Sequence, residues 1–158
     1  MIHQPKIKIK KLFDDVKTPI RGTSIAVGYD VFAHRVLPTD ELMEMAGAKH
    51  WHEVAGLVGY GTGLAFEPPP GFYLVARSRS SIFKTGLALS NGVGTIDPDY
   101  RGEVKFIFYH LGATFRPYRV GDRIGQIILA RDYQPDIVEV DKLSETGRGV
   151  NGYGHTGR

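Results

Sequence analysis

Hydrophobic and polar residues alternate in short runs along most of the chain. KIKIKKL (6–12) alternates apolar and basic positions with the period of a half-buried strand, and AVGYDVFA (26–33) is a second candidate. From residue 60 onward the strand-like runs are YGTGLAFE, FYLVARS, TGLALSN, GVGTID, GEVKFIFYH, DRIGQIILARD and DIVEV. Glycine, proline, asparagine or aspartate separates most of them. The pattern therefore predicts an all-β domain, which could be a sandwich, a jelly roll or a barrel.

Residues 39–57 break this pattern. Thr39 or Asp40 can cap a helix, and acidic residues fill its first turn. Positions at helical spacing follow: Leu42, Met45, Ala46 and Lys49. His50 and His52 then flank a tryptophan, but two histidines without a third ligand nearby are a weak metal site. We interpret the segment as a surface helix or loop insertion, and an unknown protein partner could bind there.

The composition limits the function classes. The chain has 158 residues, which suits one domain, and its 20 glycines and 9 prolines indicate many turns. It has no cysteine, which excludes disulfides and thiolate zinc sites. A net charge of +3 is too weak to predict stable nucleic-acid binding but suits a site for a nucleoside triphosphate. With no long apolar run, we expect no membrane association and a cytoplasmic location, or the host cytoplasm if the source is viral.

Three segments carry candidate chemistry. In NGVGTIDPDYRGEV (91–104), Asp97 and Asp99 flank a proline and two glycines allow close approach of a ligand, although D-P-D-Y is also good turn chemistry. ARSRSSIFKTG (76–86) packs two arginines and three serines into five positions, which suits a phosphate cradle or a polar surface loop. In GDRIGQIIL, Arg123 and Gln126 need polar partners, which a ligand or a neighbouring strand could supply.

The last eleven residues, RGVNGYGHTGR (148–158), are rich in glycine. They are either a disordered end or a flexible strap that closes on a ligand. Glycines expose backbone donors, arginine and threonine suit phosphates, and a tyrosine offers a flat face for a base. The segment is not a Walker A loop, because no G-K-[ST] closes it.

Taken together and in this order, these segments resemble the trimeric dUTPase family over about the whole chain. AVGYD, RSS, NGVGTIDPDYRGE, RIGQIIL and RGVNGYGHTG are similar to its five motifs. The resemblance implies a distorted jelly-roll β domain (1–147) with an insertion at about 39–57, and a flexible C-terminal arm (148–158). It also implies a homotrimer with active sites at subunit interfaces. The implied reaction is Mg²⁺-assisted hydrolysis of dUTP to dUMP and pyrophosphate, which removes dUTP and supplies dUMP for thymidylate synthesis.

The resemblance also implies the catalytic roles. Asp97 would orient and deprotonate the water that attacks the α-phosphorus. Ser80 and Arg79 would hold the leaving phosphates, with Ser80 stabilising charge at the bridging oxygen. Gln126 would help hold the α-phosphate and the water. Asp30 would reach Mg²⁺ through water rather than directly.

The substrate contacts follow in the same way. Asn91 and the backbone of Gly94 and Ile96 would read the uracil edge, Tyr100 would pack under the deoxyribose, and Tyr153 would stack on the uracil. The remaining positions that the resemblance implies for phosphate binding and the tail are Ser81, Arg148, Gly154, His155 and Thr156.

The chain departs from the family pattern in three places. Tyr153 stands where phenylalanine is usual, Asn151 replaces a glycine, and the insertion is longer than is normal. One alternative is a dCTP deaminase, which needs a glutamate base on the strand after the aspartate. Residues 106–108 hold no carboxylate, and Glu103 comes too early. The other alternative is a non-catalytic or dual-role regulatory protein on the same fold.

Overall fold

The structure is a computed structural model that describes residues 4–112 and 115–152. Its strands are β1 Lys8–Lys11, β2 Ile20–Arg21, β3 Tyr29–Phe32, β4 Arg35–Val36, β5 Leu57–Gly61, β6 Leu64–Glu67, β7 Phe72–Arg77, β8 Leu87–Leu89, β9 Gly94–Ile96, β10 Lys105–His110 and β11 Arg123–Arg131. The α-helix α1 spans Thr39–Ala46, and two 3-10 turns span Trp51–Glu53 and Ser80–Lys84.

The strands form two larger antiparallel sheets and one ribbon. The first sheet has the order β2-β3-β11-β7-β9, the second has the order β4-β5-β10-β8, and β1 pairs with β6. Neighbouring strands in the sheets are mostly distant in sequence, so the chain crosses repeatedly from one sheet to the other. The predicted all-β class is confirmed.

One shared core lies between the two sheets. Tyr60 and Phe108 come from the four-stranded sheet, Leu74 and Ile124 come from the five-stranded sheet, and all four side chains are fully buried. The Tyr60 and Phe108 rings meet edge to face, with centroids 6.0 Å apart, a favourable arrangement for aromatic pairs. β3, β7, β9 and β11 all belong to the five-stranded sheet that packs on this core.

The predicted helix in residues 39–57 is present, but its predicted cap is wrong. Pro38 takes the N-cap position with an extended backbone, so Thr39 and Asp40 are already helical. The helix stops after Ala46 because Gly47 adopts a left-handed conformation with φ of 62°. It buries Leu42 in a small second core, whose buried members are Leu37, Leu42 and Val54.

Two strand predictions need correction. β1 forms, but all four of its residues are exposed, so it is not half-buried as predicted. Residues 136–140 lie outside the strands, with Ile137 and Val138 98% and 75% exposed. Their alternation suits a strand, but a strand needs a neighbouring edge, and within residues 4–112 and 115–152 no strand pairs with them. In the same part of the chain, no helix is long and apolar enough to cross a membrane.

Candidate active site

Asp30 is the centre of a first group of predicted site residues. It lies on β3 with 3% of its surface exposed. Its Oδ1 atom accepts a hydrogen bond from Gln126 Nε2 at 3.1 Å and lies 3.4 Å from Arg79 Nε. Its Oδ2 atom accepts a hydrogen bond from Arg123 Nη1 at 3.0 Å. Two guanidinium groups therefore share one carboxylate, which leaves an excess positive charge suited to phosphate.

The charge on Asp30 is stable in the fold. Burial is the largest influence on its pKa and would raise it, but the hydrogen bonds from Arg123 and Gln126 and the charges of Arg79 and Arg123 together outweigh burial. The pKa of Asp30 is therefore lowered from its ordinary value. Asp30 stays ionised at neutral pH and orients the groups around it.

A β-bulge brings Arg123 and Gln126 to the same carboxylate. Side chains three positions apart on a regular strand point to opposite faces of the sheet. The pairing of β11 with β3 shifts between Arg123 and Gly125, while Gln126 pairs directly with Asp30. The extra residue in β11 moves Arg123 to the same face of the sheet as Gln126, so both side chains reach Asp30.

The predicted phosphate loop follows β7 directly. Arg79 precedes the 3-10 turn Ser80–Lys84, and its Nη1 atom lies 3.5 Å from Ser81 Oγ at a long hydrogen-bond distance. Ser80 is exposed at the start of that turn. The loop thus presents hydroxyl groups beside a guanidinium that Asp30 already orients.

A cavity of about 430 Å³ gathers the second group of predicted residues. The predicted positions that line it are Asn91, Gly94, Ile96, Asp97 and Tyr100. β9 carries two of them and pairs with β7, where Gly94 lies opposite Ala76. A Cβ atom on Gly94 would lie 3.1 Å from Asn91 Nδ2, so glycine lets the Asn91 amide approach the backbone. The size and lining suit a small polar ligand.

The turn after β9 positions Tyr100. Its backbone N–H donates to Asp97 O at 3.1 Å, so D-P-D-Y is a β-turn and its aspartate also lines the cavity. The Tyr100 hydroxyl donates to Glu103 O at 3.1 Å. A Cβ atom on Gly102 would overlap the Tyr100 ring, so this glycine gives the ring its place.

The two groups lie on strands of the same sheet but, among the described residues, are not bonded to each other through side chains. In the described part of the chain, no hydrogen bond or ion pair joins the Asp30 group to the cavity residues. Arg148 Nε donates to Asn151 O at 2.8 Å, within its own segment, and the structure does not bring Arg148 to either group. The predicted tail positions Tyr153, Gly154, His155 and Thr156 lie outside the described residues.

Known proteins with matching sequence identify the family. A sequence model described as dUTPase matches residues 55–157, which is more than half of the chain. This chain belongs to the dUTPase family. The deoxyuridine 5'-triphosphate nucleotidohydrolase of Nautilia profundicola is 36% identical over 154 residues, covering 97% of this chain and 99% of that protein. The protein of the same name from Helicobacter hepaticus is 40% identical over 164 residues, covering 99% and 92%.

Solved dUTPases share the fold at lower identity. The dUTPase of Staphylococcus bacteriophage 80alpha with dUPNHPP matches with a TM-score of 0.75 at 20% identity, covering 97% of this chain and 99% of that chain. A mutant dUTPase of phage phi11 of S. aureus, described with a coordinated structural Mg(II) ion, matches with a TM-score of 0.65 at 18% identity, covering 89% and 99%. The distorted jelly-roll prediction is thereby confirmed for this member of the dUTPase family.

Metal binding by protein groups alone is not favoured here. Across the described ranges, no three His, Cys, Asp or Glu residues cluster as metal ligands, and this includes the surroundings of His50 and His52. Both oxygens of Asp30 already interact with donors, and two arginines add positive charge. A direct bond from Asp30 to a cation does not fit this environment. A contact through water fits, because each carboxylate oxygen can accept more than one hydrogen bond.

The sequence interpretation gave no role to Arg123 or Glu103. Arg123 was predicted only to need a polar partner, because its contact with Asp30 depends on the pairing of strands that are distant in sequence. Glu103 lines the cavity, and its carboxylate binds Arg35 at 2.7 Å. The sequence held one sign that Glu103 has a structural role: it is a charged residue directly after the turn, between a glycine and an apolar strand-like run.

Proposed function

We propose that the chain hydrolyses dUTP to dUMP and pyrophosphate by in-line attack of water on the α-phosphorus, with Asp97 as the base. The activity follows from membership of the dUTPase family. The observation that carries the mechanism is the cavity that Asp97 lines together with Asn91, Gly94 and Tyr100. A carboxylate at the wall of a nucleoside-sized cavity can hold a water against the phosphate that follows the sugar. Such base assistance contributes roughly 10²–10⁴-fold to a rate.

The cavity supports selection of a deoxyuridine nucleotide. The Asn91 amide and the backbone of β9 at Gly94 and Ile96 offer donors and acceptors to a base edge. Unmatched polar groups in such a site reject a wrong base far better than apolar contacts do. The Tyr100 ring would pack under the sugar, where a 2′-hydroxyl would lack space. Tyr153 of the tail would stack on the uracil, a contact worth about 1–3 kcal/mol.

The Asp30 group would hold the phosphates. Arg79, Ser80 and Ser81 would bind the leaving pyrophosphate, and Gln126 would hold the α-phosphate region. Asp30 keeps Arg79 oriented before the substrate arrives, so less side-chain freedom is lost on binding. The tail would complete the clamp with Arg148, Gly154, His155 and Thr156.

Mg²⁺ would bind to the triphosphate and contact Asp30 through water. When bound, it neutralises charge on the phosphate oxygens. The other roles fall to protein groups. Asp97 would accept the proton of the water, and the arginine and hydroxyl donors would hold the departing phosphates.

We also propose a homotrimer in which different copies complete each active site. Within the described residues of one chain, no hydrogen bond or ion pair joins the Asp30 group to the cavity, and this supports the arrangement. So does the exposed apolar surface at Ile25, Val27 and Ile137, which are 89%, 75% and 98% exposed. Light scattering should give three times the 17.5 kDa mass of the chain. A monomeric mass with full activity would contradict this proposal.

Product analysis tests the activity and its selectivity. The protein is incubated with Mg²⁺ and, separately, with dUTP, dCTP, dTTP and UTP. Conversion of dUTP alone to dUMP and pyrophosphate is expected. A uracil nucleotide formed from dCTP would favour the deaminase alternative, although Phe106 and Phe108 are buried in the core where that base would lie. Binding of dUTP without turnover would favour a regulatory protein.

Replacing the base tests the mechanism. Asp97→Asn should lower kcat by roughly 10²–10⁴-fold while the imido analogue dUPNHPP still binds. Asp99→Asn is the matched control, because Asp99 is an exposed acid in the same turn and does not line the cavity. Equal turnover of Asp97→Asn and the parent enzyme would exclude Asp97 as the base.

A further inference from the structure

Helix α1 of the 39–57 insertion forms part of the cavity that Asn91, Asp97 and Tyr100 line. Met45, in its last turn, lines the cavity together with Tyr100 and Ile107. One turn earlier, Glu41 pairs with Lys105 of β10 at 3.0 Å, and Lys105 also lines the cavity. The insertion therefore contacts the site that the family motifs build.

A four-residue ion-pair network joins α1 to the end of the Tyr100 turn. Arg35 donates two hydrogen bonds to Glu41, at 2.5 and 2.9 Å. Its Nη2 atom also donates to Glu103 Oε2 at 2.7 Å. The four side chains of Arg35, Glu41, Glu103 and Lys105 are 10–30% exposed. Two cations and two anions balance, and forked arginine geometry gives such a network more directional strength than a surface pair.

Glu103 is held at both its side chain and its backbone. Its Oε1 atom accepts a hydrogen bond from Gly63 N–H at 2.8 Å, while Arg35 binds Oε2. Its carbonyl oxygen accepts the hydrogen bond from the Tyr100 hydroxyl. Glu103 thus links the Arg35 ion pair, through its side chain, to the Tyr100 hydroxyl, through its backbone carbonyl.

We propose that Glu41 and Arg35 are positioning residues, which act through Glu103 to hold Tyr100 against the sugar, and that Met45 extends the same wall. This inference rests on the proposed function, in which Tyr100 packs under the deoxyribose. The hydrogen bond from Arg35, followed by that from Lys105, lowers the pKa of Glu41 to about 2, so the network stays charged at neutral pH. The insertion then serves substrate selection.

The test replaces Glu41 and compares two substrates. Glu41→Gln keeps the size of the side chain and removes its charge, and Glu44→Gln is the control, an exposed glutamate on the same helix. We expect Glu41→Gln to raise KM for dUTP by about three- to tenfold, with kcat within about twofold of the parent. The preference for dUTP over UTP should fall by a similar factor. Glu44→Gln should match the parent in both.

A double-mutant cycle distinguishes two roles of Glu41: positioning Tyr100 through Glu103, and only stabilising helix α1. Tyr100→Phe removes the hydroxyl that donates to Glu103. If Glu41 acts through this contact, Glu41→Gln changes KM and the dUTP preference less in the Tyr100→Phe background than in the parent. Equal changes in both backgrounds would overturn the proposal. So would unchanged KM and preference in Glu41→Gln, whether or not its thermal stability is lowered.

The proposed function and this inference fail in different ways. If the parent enzyme does not convert dUTP, or if Asp97→Asn converts it at the parent rate, the proposed function fails whatever Glu41 does. If the parent converts dUTP and Asp97→Asn does not, an unchanged Glu41→Gln variant contradicts the positioning role alone.

Discussion

Replacing Asp30 with asparagine should destabilise the fold through the arginines around it. The change preserves shape but removes the charge that Arg79 and Arg123 share. One carboxylate oxygen also becomes an NH₂ group. In either orientation this donor faces another donor, which is Arg123 on one side or Gln126 and Arg79 on the other. The variant therefore keeps a buried donor that has no acceptor, and Arg79 and Arg123 lose the negative charge that balances them.

The exposure of the arginines sets the size of the effect. Removing one partner of a buried ion pair costs about 3–5 kcal/mol. Here the side chains of Arg79 and Arg123 are 30% and 44% exposed, so water can solvate them once Asp30 loses its charge. We therefore expect a smaller loss of roughly 1.5–3 kcal/mol in the free energy of unfolding. For a chain of this size that corresponds to a fall in Tm of about 3–12 °C.

The pH dependence provides a second check on the same variant. The folded-state pKa of Asp30 lies below its ordinary value of 3.8. The unfolded state therefore takes up the proton first as the pH falls, and the stability from ionised Asp30 is present above pH 3.8 and lost below it. The Tm difference between the parent and Asp30→Asn should be largest near neutral pH and shrink below the ordinary pKa.

Thermal unfolding followed by circular dichroism measures both effects. All samples need the same protein concentration, because oligomer stability depends on it. Asp14→Asn is the matched control, since Asp14 is an exposed aspartate. A Tm of Asp30→Asn equal to that of Asp14→Asn at pH 7 would refute the reasoning. A difference that stays constant far below the ordinary pKa would refute the electrostatic cause.

Three further predictions follow from the structure. Gly125→Ala should lower the free energy of unfolding by about 1–3 kcal/mol or more, because its Cβ would overlap the buried Phe106 ring. Gly22→Ala is the control, since a Cβ at Gly22 would lie in open space. Urea unfolding should give Gly125→Ala the lower midpoint, and equal midpoints would contradict this packing. The folded-state pKa of Glu41, about 2, lies below its ordinary value of 4.5, so the stability that ionised Glu41 contributes is present above pH 4.5 and is lost between those two values. The Tm of Glu41→Gln should therefore fall less than that of the parent between pH 5 and pH 3. Parallel plots of Tm against pH for the two proteins would contradict this prediction. Truncation before Arg148 should lower kcat/KM by about 10²-fold through loss of the clamp without changing the circular dichroism spectrum, and full activity of the truncated chain would rule out the strap.

The sequence alone determined the elements whose causes are local. Alternation predicted most strands, and helical spacing with acidic residues predicted α1. D-P-D-Y predicted the β-turn between Asp97 and Tyr100, because proline and aspartate favour a β-turn through their own local conformations. The motifs also indicated the dUTPase family, since residue types in a fixed order are a property of the sequence.

Only the tertiary structure decided features that depend on distant partners. Arg123 and Gln126 both reach Asp30 because a bulge in the β3–β11 pairing breaks the alternation, and the pairing is set by register between strands far apart in sequence. Residues 136–140 alternate like a strand yet lie exposed, because a strand also requires a free neighbouring edge. Arg35 joins Glu41 of α1 to Glu103, and Arg35 and Glu103 are 68 positions apart. Local patterns determine what a segment can form, and the packing of the whole chain determines which side chains meet.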